Sequence, residues 1–516
     1  MKATVLPKTL FSCLLILATC ALPAWAGVKL AAPFTDHMVL QRELAVPVWG
    51  TADAGAKITV MFAGQTKSVA ATASGDWRVE LAPLKASAEA GTLTVADGSS
   101  SVELHDVLVG EVWLCSGQSN MDFTVAKTEK YYFAGVTNEA AEVAAANYPR
   151  IRMFTAEWTK SYEPRSTVSG AWKICTPENV REFSAIGYFF ARQLQREIDV
   201  PVGIVTLTFG ASTPQAWIRR EAISADARLK PSLDRFDADV ATFRTNPEAP
   251  KQFAQKQADW DAAVEEARAK GQKLPRRPRD PDPIQDQHNP TVLFNGMVAP
   301  VVPFAIRGIL WYQGESIVSP RELFPVWNET LIKDWRALWG RELPFYFCQL
   351  AAQDAASNSP EVREMQAQAL VLPATAMAVT VDIGEKNNVH PRNKQDVGDR
   401  LARIALAKQY GKPVEFSGPV YESMKAEGTA LRLNFSHAAG LAARGGPLKT
   451  FEIAGADGKY FAAEARIDGG NVIVSSSSVP TPVVVRYAWS SYPEGCNLTN
   501  AAGLPAVPFR TDAKKL

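Results

Sequence analysis

The chain has 516 residues, a formal net charge of +1 at pH 7 and a hydrophobic content of 47%. This length is enough for two to four domains of about 100–200 residues each, and the composition is that of a globular protein with substantial cores. The near-zero net charge, and the lack of a basic stripe with interleaved aromatic residues, argue against a nucleic-acid partner held by charge.

The N-terminus has the three parts of a secretory signal peptide. Lys2 and Lys8 supply positive charge, residues 10–21 form a short apolar stretch, and residues 24–26 are the small-residue cleavage motif AWA. The apolar stretch is too short for a membrane anchor, and no later segment has the length and hydropathy of a membrane span. We therefore expect cleavage of residues 1–26 and a secreted or periplasmic mature protein.

The remaining cysteines give no metal or disulfide signature. Cys13 and Cys20 leave with the predicted signal peptide. Four cysteines in a chain of this size are too few for a disulfide framework, and their scattered spacing is unlike that of a zinc site. These four residues are Cys115, Cys175, Cys348 and Cys496.

Residues 27–105 have the pattern of short antiparallel strands. The clearest stretches are residues 46–50, 57–62, 77–81 and 93–95, which are separated by turns rich in Gly, Asp and Ala. This spacing is typical of a β-sandwich. No cluster of chemically reactive residues accompanies it, so we predict an N-terminal β module without catalytic residues.

Residues 106–414 alternate between strand and helix patterns. Apolar, β-branched runs predict strands that are buried on both faces, and amphipathic runs between them predict helices. The predicted strands are residues 107–114, 202–208, 306–312, 344–350 and 376–382, and the predicted helices include residues 183–198 and 396–410. The predicted fold class is therefore α/β, with a parallel sheet flanked by helices.

Two segments depart from this alternation. Residues 225–285 are rich in charge and alanine, have helical spacing between residues 250 and 270, and end in a proline-rich stretch. This helical insertion is either a lid over a site or a solvated decoration. Residues 415–516 return to short strands and turns, which predicts a second β module with a tail that packs on the core.

Four of the predicted strands are followed by polar loops that contain glycine. The strand–loop segments are residues 107–121, 202–212, 306–316 and 378–391. Parallel strands place their carboxyl ends at the same edge of a sheet, and open α/β sheets bind ligands beyond that edge. We therefore expect the four loops to form one site.

The loop sequences resemble those of a known family. Residues 110–121 (GEVWLCSGQSNM) resemble the nucleophile block of the sialate O-acetylesterases and related carbohydrate acetylesterases, a branch of the SGNH hydrolases. Residues 309–316 (ILWYQGES) resemble the third block, and residues 390–398 (HPRNKQDVG) resemble the histidine block. The resemblance implies a flavodoxin-like SGNH domain with accessory β modules. It also implies hydrolysis of acetyl esters on sugars without a metal or another cofactor.

The chemistry of acyl transfer assigns roles to these residues. Ser119 is the candidate nucleophile, and His390 is the base that would take its proton. SGNH hydrolases commonly carry Asp three residues before this histidine, whereas the present chain has Asn387. An amide has no charge to stabilise an imidazolium, so we expect a carboxylate from elsewhere. As the carboxylate that orients His390, Glu315 ranks first and Asp382 second. Glu385 is also near His390 in sequence. A Ser–His dyad without a carboxylate remains open.

The oxyanion that forms during acyl transfer needs hydrogen-bond donors. We expect the backbone N–H groups of Ser119 and of Gly210 or Ala211 to be these donors, because small turn residues let backbone N–H groups face into the site. The family often shows Gly-Gly at positions 210 and 211, but alanine keeps its N–H group. Gln313 is the candidate side-chain donor. Three further residues are either substrate contacts or turn stabilisers: Gln118, Asn120 and Gln215.

These features predict an exported serine esterase that removes O-acetyl groups from a carbohydrate. Acetylated sialic acid and acetylated xylan or xyloglucan are the alternative substrate classes, and sialate would need a cation such as Arg219 or Arg220 for its carboxylate. The alternative is a non-enzymatic function, in which an inactive esterase scaffold binds a carbohydrate. The predicted partner is thus an O-acetylated carbohydrate, and the sequence leaves the oligomeric state open.

Overall fold

The computed structural model of the protein describes residues 27–317 and 319–512. The predicted signal peptide, residues 1–26, lies outside this range. Over the described residues, no helix is both long enough and apolar enough to cross a membrane. The four cysteines of the predicted mature chain are all buried, and none of them forms a disulfide.

The N-terminal part consists of two β-sheets that share one hydrophobic core. One sheet has the order β1-β3-β6, and the other contains β2, β4, β5, β7 and the first half of β8. Alternate residues of the strands point into the core, as in β6, where Trp77, Val79 and Leu81 are buried. The strands are β1 (Lys29–Leu30), β2 (Val39–Gln41), β3 (Val46–Thr51), β4 (Lys57–Phe62), β5 (Gln65–Ala70), β6 (Asp76–Leu81), β7 (Ser87–Ala96) and β8 (Ser101–Gly117).

Strand β8 belongs to both the N-terminal part and the central sheet. Its first residues pair with β7 and β2, and its last seven residues pair with β11 on one side. The predicted boundary at residues 105 and 106 therefore falls inside a continuous strand. From residue 107 to residue 117 every residue of β8 is buried, as expected for a strand covered on both faces.

The central sheet has the strand order β10-β9-β11-β8-β12-β13-β14. All neighbouring strands along this path are parallel except the edge pair β9 and β10. The predicted parallel sheet is thus present within a larger mixed sheet. Its strands after β8 are β9 (Tyr148–Ala156), β10 (Gly170–Cys175), β11 (Val202–Thr208), β12 (Gly308–Tyr312), β13 (Phe345–Cys348) and β14 (Thr375–Ala378).

Helices cover both faces of the central sheet. The helices are α1 (Ser119–Asp122), α2 (Glu139–Ala144), α3 (Ala185–Ile198), α4 (Arg220–Ser224), α5 (Lys230–Arg244), α6 (Ala249–Ala269), α7 (Phe324–Trp339), α8 (Pro360–Ala367) and α9 (Lys394–Lys408). Val112 and Leu114 of β8 share a core with α7, whereas Trp113 and Cys115 share one with α3 and α9. The two-residue side-chain period of the strand therefore divides the apolar residues between two layers of helices.

The predicted helical insertion contains α5 and α6. Helix α5 packs Leu233, Phe236 and Val240 into the main core. Helix α6 is exposed over most of its length, and Val264 and Ala267 are its buried residues. This burial pattern is that of a surface decoration anchored by its first helix.

The C-terminal part is a second β module with its own core. Two four-stranded antiparallel sheets and one two-stranded sheet surround it. The strands are β15 (Val420–Glu427), β16 (Ala430–Ser436), β17 (Ala442–Ala443), β18 (Phe451–Ala454), β19 (Tyr460–Ala462), β20 (Glu464–Asp468), β21 (Asn471–Ser475), β22 (Val484–Tyr487), β23 (Leu498–Thr499) and β24 (Phe509–Arg510). The module is linked to the central domain through Arg363, which donates hydrogen bonds to the carbonyl groups of Ser490 and Ser491.

A buried carboxylate, Glu111, links the N-terminal part to the central sheet. Its side chain is fully buried in β8 and accepts hydrogen bonds from Arg42 (2.5 Å), Arg307 (2.7 Å) and Tyr410 (3.0 Å). Burial alone would raise the pKa of this carboxyl, but the hydrogen bonds and charges of Arg307 and Arg42 lower it below its ordinary value. Glu111 therefore remains ionised and pairs with two largely buried arginines, which the exposed Glu43 also approaches.

We expect Glu111→Ala to lower the free energy of unfolding by about 3–5 kcal/mol, because it removes the buried anion of two poorly solvated guanidinium groups and leaves them only the exposed Glu43. Denaturant unfolding or a shift in Tm measures this effect. Glu80→Ala is the matched control, since its ion pair with Arg78 is exposed on both sides and should contribute less than about 1 kcal/mol. Equal losses in the two variants would contradict this account.

Candidate active site

Ser119 lies directly beyond the carboxyl end of β8. Gly117, the last residue of the strand, has a φ of +131°, and a Cβ atom there would lie 2.1 Å from the carbonyl oxygen of Tyr312. Only glycine therefore permits this close approach of β8 and β12 at the turn. The turn ends the strand and allows helix α1 to begin at Ser119.

The structure brings Ser119 and His390 together from opposite ends of the central domain. His390 Nε2 lies 2.8 Å from Ser119 Oγ. The loop that carries His390 precedes helix α9, and Asn388 Oδ1 accepts a hydrogen bond from the His390 backbone N–H at 3.0 Å. This geometry suits proton transfer from the serine hydroxyl to the imidazole.

The predicted carboxylate partners of His390 bind other groups. Asp382 forms a two-oxygen ion pair with Arg400, at 2.7 and 2.9 Å, and also contacts Arg444 at 3.2 Å. Glu385 accepts hydrogen bonds from Asn388 and from a backbone N–H group. Throughout residues 27–317 and 319–512, no Asp or Glu forms an ion pair or hydrogen bond with His390. Asn387, at the family's usual Asp position, is exposed.

Glu315 reaches the histidine loop through Asn120. The Asn120 side-chain amide donates to Glu315 Oε1 and, at 2.9 Å, to the carbonyl oxygen of Val389. Val389 immediately precedes His390, so Asn120 holds the backbone of the histidine loop. The side-chain oxygen of Asn120, Oδ1, in turn accepts a hydrogen bond from Lys394 Nζ at 2.6 Å. We call Glu315, Asn120 and Lys394 the buried network.

Lys394 is a fully buried lysine beside Ser119 and His390. Its ammonium group lies 4.6 Å from the ring centroid of Phe123 and 5.8 Å from that of Tyr312. Burial lowers the pKa of Lys394 to about 7, although the nearby Glu315 carboxylate acts in the opposite direction. Burial also raises the pKa of Glu315. The lowered pKa of Lys394 and the raised pKa of Glu315 both favour the neutral forms of these side chains.

The imidazole of His390 is also held in its neutral form. Burial, together with the positive charge of Lys394, lowers the pKa of His390 to about 4. The ring of Phe133 packs on the imidazole with centroids 4.5 Å apart, and the ring of Phe123 lies 6.5 Å away. The apolar rings exclude water from the histidine, which accounts for the burial contribution.

Backbone N–H groups are available next to Ser119. Within the described part of the chain, the N–H groups of Ser119, Gly210 and Ala211 have no hydrogen-bond acceptor. A Cβ atom on Gly210 would lie 3.9 Å from Ser119 Cβ, so the second loop approaches the serine closely. Ala211 has a φ of +54°, a left-handed conformation that glycine adopts more readily. Ala211 therefore holds the second loop in a left-handed turn.

The two glutamines near the site hold loops together. Gln313 Nε2 donates to the carbonyl oxygens of Ser212 (3.2 Å) and Ser316 (2.7 Å), so both of its amide hydrogens are occupied. Gln118 Oε1 accepts hydrogen bonds at 3.4 Å from the backbone N–H groups of Gly314 and Ser316. These bonds connect the loops that follow β8, β11 and β12.

The predicted cations for a substrate carboxylate are engaged elsewhere. Arg219 pairs with the buried Asp334 at 2.6 Å, and Arg220 pairs with Asp237 through two hydrogen bonds. The described residues contain no group of three or more His, Cys, Asp or Glu side chains arranged to hold a metal ion.

Comparison with known proteins identifies the family. Residues 285–407 match the family model of carbohydrate esterases described as sialic acid-specific acetylesterases. The chain is 28% identical to the sialate O-acetylesterase of Rattus norvegicus, over 96% of each chain, and 27% identical to that of Homo sapiens, over 94% of this chain and 93% of the human protein. A solved carbohydrate acetylesterase from Xanthomonas citri is 34% identical, with a TM-score of 0.77, over 94% of this chain and 100% of that chain.

The chain belongs to this family of carbohydrate acetylesterases. It is therefore a carboxylic ester hydrolase. The family inferred from the loop sequences is confirmed. The similarity extends over nearly the whole chain and includes both β modules.

Two side chains of this esterase site were not singled out from the sequence. Lys394 lies four residues after His390, at the start of an amphipathic helix, where a lysine usually faces solvent. Phe133 lies in a segment with no recognisable motif. The polar tract around His390 was the one signal that could have drawn attention to Lys394.

We expect His390 to titrate with a pKa of about 4, well below the value of about 6.5 for an exposed histidine. NMR titration of the five ¹³C-labelled histidines, with His390→Gln for assignment, measures this value. Lys394→Met should raise the pKa of His390, because it removes a positive charge that opposes protonation. Burial remains in this variant, so the pKa should stay below the exposed value.

Lys408→Met is the matched control for this titration. Lys408 lies at the other end of helix α9 and contacts the ring of Phe416. Its removal should leave the His390 titration unchanged. An unchanged pKa in Lys394→Met, or the same rise in both variants, would contradict the assignment of Lys394.

Proposed function

We propose that this esterase removes O-acetyl groups from carbohydrates through a covalent acetyl-enzyme, with Ser119 and His390 acting as a dyad. The observation that carries the proposal is the 2.8 Å distance between Ser119 Oγ and His390 Nε2. As His390 takes the hydroxyl proton, Ser119 Oγ attacks the acetyl carbonyl carbon. The tetrahedral intermediate then expels the sugar oxygen, which takes the proton from His390.

A second round of the same chemistry releases acetate. Water takes the place of the sugar, and His390 removes a proton from it as it attacks the acetyl carbon. The tetrahedral intermediate then releases Ser119 Oγ, which takes the proton back from His390, and acetate leaves. In both rounds the developing oxyanion needs preorganised donors. The backbone N–H groups of Ser119, Gly210 and Ala211 suit this role because they have no acceptor among the described residues. Gln313 instead holds the loops that carry these donors.

The buried network positions the dyad in this mechanism. Asn120 follows the nucleophile directly and donates a hydrogen bond to the residue before the base. The Asn120 side chain donates a hydrogen bond to Glu315 and accepts one from Lys394, so the orientation of its amide is fixed from both sides. Glu315 acts as an acceptor at a fixed place rather than as the anion that pairs with His390.

The substrate class follows from the relatives. Full-length similarity to sialate O-acetylesterases favours an O-acetylated sialic acid. Acetylated xylan or xyloglucan is the second candidate class, because the two arginines considered for the sialate carboxylate are already paired with Asp334 and Asp237. The signal-like pattern of residues 1–26 supports export of the enzyme to a compartment in which such glycans occur.

The strand order supports an SGNH-type, flavodoxin-like core. With β9 and β10 set aside, the order β11-β8-β12-β13-β14 corresponds to 2-1-3-4-5, which is the flavodoxin-like order. Chain order reverses at β8, and Ser119 follows the end of this strand. Ligands of such sheets bind at this switch point.

We expect Ser119→Ala to abolish acetate release from 4-nitrophenyl acetate, acetylated xylan and O-acetylated sialic acid. Loss of the nucleophile costs up to about 10⁶ in kcat in other serine hydrolases. Ser116→Ala is the matched control, because Ser116 Oγ is buried without a hydrogen-bond partner among the described residues. Its activity should stay close to wild type.

The outcome also separates the alternatives for this chain. The natural ester with the highest Ser119-dependent kcat/KM identifies the substrate class. If wild type releases no more acetate than Ser119→Ala from any of the three esters, the proposed mechanism fails. Binding of acetylated glycan without turnover would then favour a carbohydrate-binding role.

We expect Glu315→Ala to lower kcat by about 10²-fold, since a small displacement of reacting groups has an effect of this size. Glu315→Gln should retain most of the activity, because the glutamine oxygen can still accept the Asn120 hydrogen bond. Steady-state kinetics with 4-nitrophenyl acetate measures both variants. Equal, severe losses in Glu315→Gln and Glu315→Ala would show that the charge of Glu315 is required, and would reject the positioning role.

A further inference from the structure

Aromatic side chains border the catalytic pair on one side. We call them the aromatic arc, and they come from the segment before α2 and from the loops that follow β9 and β11. The residues of the arc are Tyr131, Tyr132, Phe133, Trp158 and Phe209. The buried network and the dyad do not use the exposed members of this group.

The arc is continuous from the base to the loop opposite it. The Phe133 ring packs on His390 at 4.5 Å and lies 6.3 Å from the Tyr131 ring. Tyr131 lies 5.9 Å from Trp158, and Trp158 lies 5.3 Å from Phe209. All of these values are distances between ring centroids. Neighbouring rings are thus in contact along the whole arc.

The far end of the arc is fixed next to the candidate oxyanion donors. The Phe209 backbone N–H donates to the carbonyl oxygen of Gly117 at 3.1 Å. Gly210 follows Phe209 and approaches the Cβ atom of Ser119. A ligand that lies along the arc would therefore place its substituents between the histidine and the oxyanion loop, where Ser119 Oγ is situated.

Two members of the arc are exposed, although Trp158 also packs on Tyr131 and Phe209. Tyr132 is 73% exposed and packs edge-on against Phe133, and Trp158 is 40% exposed. Tyr131, in contrast, is 4% exposed. The rings of Phe133 and Tyr131 connect the two exposed rings into one aromatic cluster. A contiguous cluster of this kind beside a site marks a binding surface, whereas isolated exposed apolar side chains do not.

The chemistry of the arc fits a sugar ring. A pyranose has C–H groups on its faces and hydroxyl groups at its edge, so it can pack a face on an aromatic ring while its edge remains hydrated. Lys130 adds a donor for a sugar oxygen or carboxylate. Its ammonium group lies 4.9 Å from the Tyr131 centroid and 4.8 Å from the Trp158 centroid, and it forms no ion pair within the described residues.

We propose that the exposed faces of Tyr132 and Trp158 form the subsite that holds the pyranose ring of the O-acetylated substrate. The subsite orients the ring so that its acetyl group reaches Ser119. This inference rests on the proposed attack of Ser119 on a sugar acetate, and it adds the residues that select a sugar over a simple acetyl ester.

The test compares sugar esters with an ester that has no sugar. Tyr132→Ala and Trp158→Ala should each lower kcat/KM for an acetylated sugar by about tenfold, which is the size expected for one lost aromatic contact. The value for 4-nitrophenyl acetate should change less than about twofold. Acetylated xylo-oligosaccharide and O-acetylated sialic acid are both assayed, and the sugar with the larger loss is the one that the arc holds.

Phe461→Ala serves as the matched control, because Phe461 is 41% exposed in the C-terminal β module and should affect neither type of ester. The highly exposed Tyr132 keeps the test decisive if Trp158→Ala folds poorly. Unchanged kinetics on both sugars in Tyr132→Ala, or equal losses on sugar esters and on 4-nitrophenyl acetate, would overturn the subsite. Failure of the Ser119 mechanism is distinguishable, since wild type and Ser119→Ala would then be equally inactive on 4-nitrophenyl acetate.

Discussion

The structure depends on the complete burial of the second half of β8. From residue 107 to residue 117 the strand is covered on both faces, and it lies between β11 and β12 in the central sheet. Its first half belongs to the N-terminal sheet, so one strand fixes the N-terminal module against the catalytic domain. Because its end is held by neighbours on both sides, the turn at Gly117 and the position of Ser119 follow from packing rather than from a flexible loop.

The site is built by loops that come from distant parts of the chain. Asn120, after β8, binds both the third loop through Glu315 and the histidine loop through Val389. Gln313 fastens the second loop to the third. These bonds lie in a largely water-excluded region, where a satisfied polar network is rigid and an unsatisfied one is costly. The loops therefore form a single unit around the dyad.

Sequence patterns predicted the strands and the meeting of Ser119 with His390 for clear physical reasons. Doubly buried strands require apolar runs, and parallel topology brings their carboxyl ends to one edge. The partner of His390 was harder to predict, because it depends on side-chain directions and on competing cations. Asp382 is close to His390 in sequence, yet Arg400 and Arg444 take its oxygens. Lys394 was missed because a lysine at the start of an amphipathic helix gives no sign that it is buried.

The lack of a carboxylate on His390 has a consistent physical account. Removing that charge elsewhere costs about 10⁴ in rate, largely because the histidine adopts the wrong tautomer. Here the base loop is fixed instead by Asn388 and Asn120.

In the proposed mechanism, the low pKa of His390 has opposite effects on the two proton transfers of the acylation step. A histidine with a pKa of about 4 is a weak base toward Ser119, but its protonated form is a strong acid toward the departing sugar oxygen. An alkoxide is a poor leaving group, so rapid protonation of that oxygen matters most for a sugar ester. Within the proposed mechanism, the burial of His390 and the charge of Lys394 therefore favour the departure of the sugar at the expense of the initial deprotonation.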